Sequence, residues 1–237
     1  MNIFSILEQI DTMLYKEYNL LHLIIFGNLK NICMSFIFPP SLQKLPRTFY
    51  TNPVLTVAKN LLGKFIVKND TNTILLGKIV EVEAYREDDP ASHSYKKRKT
   101  ERNSVMFEEG GHLYVYFTYG MHFCANIVTG RKHIGEAVLI RAVEPIEGID
   151  VMRKNRKFSN NHTDIKNLTN GPAKFCYGFG ITKKYNGIDL FSDSFFIAEE
   201  QSQTQKFKII SSTRIGIKKG TEKKWRFFIE GNEFVSR

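Results

Sequence analysis

Glu81, Glu83 and Tyr85 recur at every second position of the run Ile79-Val80-Glu81-Val82-Glu83-Ala84-Tyr85, so a β-strand puts two carboxylates and a phenol on one face. A carboxylate takes a proton from water or balances a growing positive charge when neighbours hold it in place. Tyr116, His93, Asn126 and Arg141 fall on or beside neighbouring predicted strands, and a carboxylate among aromatic rings and an arginine has the composition of a positioned, charge-stabilised base. Each residue alone has a plainer reading. Carboxylates on one strand face often meet solvent, a single histidine is more often a satisfied surface residue, and a strand arginine is more often half of a structural ion pair.

Two other places carry chemistry. Between the alternating runs Leu113–Thr118 and His122–Val128, the residues Tyr119, Gly120 and Met121 form a hairpin tip, with Gly120 supplying the permissive backbone. The tip either folds back on the core or acts as a wedge between base steps, where an aromatic side chain replaces lost stacking. In the run Asn170-Gly171-Pro172-Ala173-Lys174, a proline at the first helical position and a lysine in the first turn make a plain helix cap or a phosphate contact.

The elements that position these residues are legible from Leu45 onward. Asn52 as cap, Pro53 at the first helical position, Val54, Leu55, Ala58, Leu61 and Leu62 as the apolar face and Gly63 as the stop predict a helix. Phe65–Val67 and Leu75–Tyr85 read as strands around an Asn69–Asn72 turn, and Ala137–Val143 reads as another. Glu144 and Pro145 are expected to open a helix with Ile149 and Met152 inward and Arg153, Lys154 and Arg156 outward. Ser159–Asn170 and Glu199–Gln205 have the composition of surface loops. Strands and helices mix without a repeating βαβ rhythm, which favours an α+β domain with an antiparallel sheet.

Composition limits the partners. The chain of 237 residues carries 34 Lys and Arg against 24 Asp and Glu, a net charge of +10, so a polyanion is the first partner to consider, nucleic acid above membrane. The basic run Lys96, Lys97, Arg98, Lys99 and Arg102 is a solvated loop or the rim of a site near His93. Cys33, Cys124 and Cys176 are too scattered for a disulfide framework or a CxxC pair, and the six histidines form no ligand pattern, so a reducing compartment and metal-independent chemistry are expected. The first forty residues hold Lys16 and Lys30 against Glu8, Asp11 and Glu17, so the excess positive charge lies downstream. Their apolar stretch Leu20–Phe38 is too interrupted to span a membrane and fits neither a signal peptide nor a presequence. It reads as an amphipathic appendage or as an extension ahead of a start at Met34.

In combination, these segments resemble the 3-methyladenine DNA glycosylase (alkylpurine DNA glycosylase) family. The order Glu-Ala-Tyr at Glu83–Tyr85, then His93, Tyr-Val-Tyr-x-x-Tyr-Gly-Met ending at Met121, Phe-Cys-x-Asn ending at Asn126 and Arg-Ala-x-Glu-Pro from Arg141 is highly specific. The match runs from about Leu45 to the C-terminus, making residues 43–237 one glycosylase domain and residues 1–42 an extension. The resemblance implies a single mixed domain, a curved antiparallel sheet with flanking helices and a protruding hairpin that wedges DNA. Its substrate is double-stranded DNA containing a damaged purine, which is flipped out before its N-glycosidic bond is hydrolysed. The expected protein is a monomer without cofactor, metal or membrane attachment. It works inside the cell, in the cytoplasm or nucleoid of a prokaryote or the nucleus of a eukaryote.

Residue roles follow from the same resemblance. Glu83 matches the general base and Arg141 the arginine that helps hold carboxylate and water; Glu81 matches a position with no catalytic role. Tyr85, His93 and Tyr116 match the pocket that sandwiches the base, and Asn126 the residue that disfavours the exocyclic amine of guanine. Tyr119 matches the residue that fills the gap left by the flipped base. Met121, the loop residues Thr100, Arg102 and Asn103, and Gly171 with Lys174 complete the expected DNA contacts. Lys96, Lys97, Glu101, Glu108 and Glu109 depart from the usual pattern of the family.

Overall fold

The computed structural model describes residues 42–70, 73–158, 165–200 and 207–236. The expectations for the first forty residues fall outside this range. Among the described residues no helix is long and apolar enough to cross a membrane. The centre of the fold is strand β3 (Thr73–Tyr85), whose β-branched residues are buried along nearly its whole length. One edge of β3 pairs with β6 (Ala137–Glu147). Its other edge is shared: β2 (Phe65–Asp70) covers Thr73 to Lys78, and β9 (Arg226–Ile229) covers Glu81 to Glu83. With β1 (Leu42–Lys44), β4 (Leu113–Thr118), β5 (His122–Val128), β7 (Phe195–Glu200) and β8 (Ile209–Ser212), the sheet runs β1-β7-β2-β3-β6-β5-β4, and β8 pairs with β9. Every pairing is antiparallel. Register shifts on either side of Glu81 bend β3, as bulges do.

Helices α1 (Arg47–Tyr50), α2 (Val54–Leu61), α3 (Ile149–Asn155) and α4 (Pro172–Gly178) accompany the sheet, giving the α+β class read from the sequence. Val54, Val57, Ala58 and Leu61 form the buried stripe of α2. Its start differs in detail from the expectation. Pro53 stands at the N-cap, while the Asn52 amide donates to the Thr48 and Phe49 carbonyls and so closes the preceding turn.

Three sequence readings are corrected. Glu144 and Pro145 do not open a helix, because β6 continues to Glu147 with Pro145 beside a register shift against Leu76 and Gly77, a place where a strand tolerates proline. Helix α3 begins after Gly148, whose φ of 75° and a virtual Cβ only 2.4 Å from Leu75 Cδ2 require glycine. The supposed surface loop Ser159–Asn170 ends in Leu168 and Thr169, both fully buried, with Val143 N–H donating to the Thr169 carbonyl at 3.2 Å. Likewise Glu199 belongs to β7, not to a loop; residues 159–164 and 201–206 lie outside the described residues.

The hairpin β4–β5 has the predicted bounds and projects a solvated tip, with Tyr119 79% exposed and Met121 61% exposed. Tyr119 and Gly120 both take left-handed backbone, with φ of 51° and 66°, which costs a non-glycine residue roughly 1–2 kcal/mol. Tyr177 of α4 braces the tip, its hydroxyl donating to the Met121 carbonyl at 2.7 Å.

Candidate active site

Register across four strands assembles one row. Glu83 on β3 lies opposite Leu139 on β6, Leu139 opposite Asn126 on β5, and Asn126 opposite Tyr114 on β4. All four line a cavity of about 500 Å³. Two residues along β6, β3 and β4, Arg141, Tyr85 and Tyr116 point into the same space, as the period of a strand requires. His93 enters from the loop after β3, and Tyr119 reaches the mouth from the hairpin tip. The structure thus brings together Glu83, Tyr85, His93, Tyr116, Tyr119, Asn126 and Arg141.

At the floor, Glu83 is fully buried. Its Oε1 accepts the Ile215 N–H at 2.7 Å and faces Arg141 Nη1 at 3.3 Å, while its Oε2 accepts the Tyr85 hydroxyl at 2.8 Å. A carboxylate has about four acceptor positions, so these donors leave capacity on Oε2. Burial and the neighbouring Glu83 charge push the Tyr85 phenol well above its ordinary pKa, keeping it a neutral donor. Asn126, 4% exposed, donates through Nδ2 to the Tyr114 carbonyl at 3.1 Å, which turns its Oδ1 the other way.

One side of the cavity is aromatic. The His93 and Tyr116 rings meet edge to face with centroids 4.6 Å apart, and His93 Nδ1 shares a hydrogen bond of 3.0 Å with the Tyr114 hydroxyl. His93 is open to solvent on one side, yet the packing of its ring on the other, followed by the Arg102 charge, draws its pKa down, so the ring is neutral at pH 7. Burial raises Tyr116 and Tyr114 as well, the latter to about 12.

The remaining expected residues surround the cavity without lining it. Arg102 is exposed, its guanidinium 5.8 Å from the Tyr116 ring and donating to the Phe117 carbonyl. Asn103 is 3% exposed, and its amide is used up inside the fold: Oδ1 accepts the N–H and hydroxyl of Thr100, and Nδ2 donates to the His93 and Arg98 carbonyls. Asn103 and Thr100 therefore shape the loop beneath His93 through a reciprocal cap. Pro172 lies at the first position of α4 as predicted and touches the cavity. Gly171 has extended backbone, and Lys174 donates to Asn170 Oδ1 at 2.8 Å.

A model of the methylpurine-DNA glycosylase family matches residues 48–233. The chain belongs to that family. It is similar to a protein of Clostridium novyi, 51% identical over 83% of this chain and 100% of the relative. A Carboxydothermus hydrogenoformans protein is 45% identical over 81% of this chain and 98% of its own length, and one from Francisella tularensis 46% over 77% and 93%. All three bear the name "Putative 3-methyladenine DNA glycosylase".

Sequence reasoning missed one whole wall of this glycosylase cavity, Ile215 to Lys219. That loop is fastened by Arg214, which is fully buried against Asp89 and also donates to the Ala84 and Gly220 carbonyls. The Arg214 guanidinium lies 4.6 Å from the Tyr85 ring centroid. Gly216 and the Lys218-Lys219 pair were the available signals, and neither has a period that marks a site.

Proposed function

We propose that this cavity is the base pocket of a monofunctional DNA repair glycosylase, which flips an alkylated or deaminated purine out of double-stranded DNA and hydrolyses its N-glycosidic bond. One observation carries the reading: a fully buried carboxylate, Glu83, paired with Arg141 in a cavity of about 500 Å³ lined by Tyr85, His93 and Tyr116, in a family of DNA glycosylases. Chemistry at a stacked base requires its extrusion, and unstacking costs a few kcal/mol, least for a weakened pair. Tyr85, His93 and Tyr116 flank the base, and Asn126 disfavours the 2-amino group of guanine. The protein acts as a monomer and in the compartment that holds DNA.

In the chemical step, the oxygen of water bonds to the sugar C1′ as the bond from C1′ to the purine nitrogen breaks. The bonding pair leaves with the base. Glu83 takes the proton from water, and its negative charge offsets the oxocarbenium character of the sugar. A cationic alkylpurine departs neutral, whereas a neutral lesion such as hypoxanthine leaves with more charge to be offset. The test is release of free base from alkylated duplex. Release by wild type and almost none by Glu83→Gln supports the reading; tight binding without release by wild type makes the chain a noncatalytic damaged-DNA-binding module instead.

Two further outcomes bear on DNA contact. Arg102, Lys174, Lys218 and Lys219 surround the opening and are assigned here to phosphates. With about four such contacts, the logarithm of affinity for undamaged duplex should fall against the logarithm of salt with a slope on the order of −3 to −4. Binding that ignores salt in a filter or anisotropy titration contradicts this assignment. At the tip, strained backbone displays a ring to water, an arrangement that makes sense for a wedge. Tyr119→Ala should slow single-turnover excision from paired duplex by about 5- to 150-fold, since a stacked ring contributes about 1–3 kcal/mol, while the fold survives. Equal excision by both proteins removes Tyr119 from the wedge.

A further inference from the structure

Glu81 is as buried as Glu83, yet it does not line the cavity. Its Oε1 accepts Arg141 Nε at 2.9 Å, Arg226 Nε at 2.6 Å and the Ser236 hydroxyl at 2.9 Å, and its Oε2 accepts the Ser236 N–H at 2.6 Å. Ser236 Oγ in turn accepts Arg141 Nη2 at 3.2 Å. Arg226 is itself secured by Ser212 Oγ at 3.1 Å and the Ser236 carbonyl at 3.3 Å. Two carboxylates and two guanidiniums thus form a charge-balanced cluster, buried except for the half-buried Arg226, in which only Glu83 and Arg141 face the cavity.

The geometry points to a positioning role for Glu81 and Ser236, which hold Arg141 to a single contact with Glu83. A free guanidinium and carboxylate settle into a two-point fork. Here Glu81 occupies Arg141 Nε and Ser236 occupies Nη2, so Nη1 alone reaches Glu83 Oε1. The second oxygen of Glu83 keeps the Tyr85 hydroxyl and room for one more donor. Without Glu81 or the Ser236 hydroxyl, Arg141 swings toward a fork and competes for the oxygen that must accept the proton of water. Ser236 lies beyond the last residue matched by the family model. The inference rests on the reading of Glu83 as the base.

The experiment uses the full chain and measures single-turnover base release from an alkylated duplex beside affinity for a duplex carrying a tetrahydrofuran abasic analogue. Ser236→Ala removes the hydroxyl alone and should slow release about 3- to 10-fold, the reach of one hydrogen bond, with affinity unchanged within about twofold. Ser236→Thr, which keeps the hydroxyl, should restore the rate. Glu81→Gln should slow release about 10- to 100-fold, as a displaced reacting group does. In a Glu83→Gln background neither change should slow the residual rate further, because both act through Glu83. A folded Ser236→Ala protein at the wild-type rate overturns the inference, and so does a loss that multiplies with that of Glu83→Gln. If Glu81→Gln does not fold, the serine variants decide. A Glu83→Gln protein with full activity removes the base itself; an inert one beside a normal Ser236→Ala removes the positioning role alone.

Discussion

Glu83→Gln should yield a folded protein that binds lesion-bearing duplex and releases almost no base. The amide keeps the size of the side chain and an oxygen for the Ile215 N–H and for Arg141 Nη1, which hold Glu83 Oε1 at 2.7 and 3.3 Å. It takes no proton from water and brings no negative charge to the sugar. A general base contributes about 100- to 10,000-fold, and the loss of charge adds to that. The defect should be smaller for cationic 3-methyladenine, already a good leaving group, than for neutral lesions. Single-turnover rates on both substrates check this. Wild-type turnover of a neutral lesion by Glu83→Gln removes Glu83 from the role of base.

The second large effect is on stability. Asp89 and Arg214 are both fully buried, with Arg214 Nη2 donating to Asp89 Oδ1 at 3.0 Å and a second, shorter contact from Nη1 to Oδ2. Asp89→Ala leaves the guanidinium with the Ala84 and Gly220 carbonyls and no counter-charge at that distance. Removing one partner of a buried pair costs about 3–5 kcal/mol. For a domain of this size that lowers Tm by about 6–20 °C. The loss is not confined to stability, because Arg214 precedes Ile215, whose N–H rests on Glu83, and packs against the Tyr85 ring. Asp89→Ala should therefore also excise more slowly at temperatures where it remains folded. A thermal unfolding curve displaced by less than about 2 °C, the size of a surface pair, shows that the pair is not the fastening of the loop.

The cavity residues on β3 and on the β4–β5 hairpin were legible because their neighbours are local or periodic, whereas the Ile215–Lys219 wall was not. Tyr114 to Asn126 is one hairpin with unbroken alternation, and its strand bounds match the structure. Glu83 and Tyr85 lie on a strand whose β-branched run is unmistakable. What holds them was not legible, since the partners are far apart in the chain: Glu81 meets Arg141 60 residues on and Ser236 155 residues on, and Asp89 meets Arg214 after 125. Strands β8 and β9, of four residues each, are too short to show a period, and only pairing with β3 and each other makes them strands. Pro145 misled for a physical reason. Proline beside an acidic residue is a common helix start, but a register shift frees its position in β6 from donating a ladder hydrogen bond.

Asn103 shows the opposite case, a residue whose type suits a phosphate contact but whose four hydrogen-bonding positions all close on the protein. A residue's type states what it can bind; only the accounting of its partners states what it still has to offer.

Hydrolysis at the base–sugar bond by water that Glu83 activates is tested most directly by product analysis of wild type beside Glu83→Gln. Each protein is incubated with alkylated duplex for a single turnover, and the free base and the DNA strand are analysed separately, the strand with and without alkali. The account predicts that wild type releases free purine and leaves a DNA strand intact until treated with alkali, while Glu83→Gln releases almost no base. A strand cut at the lesion without alkali, or release by Glu83→Gln at the wild-type rate, contradicts it.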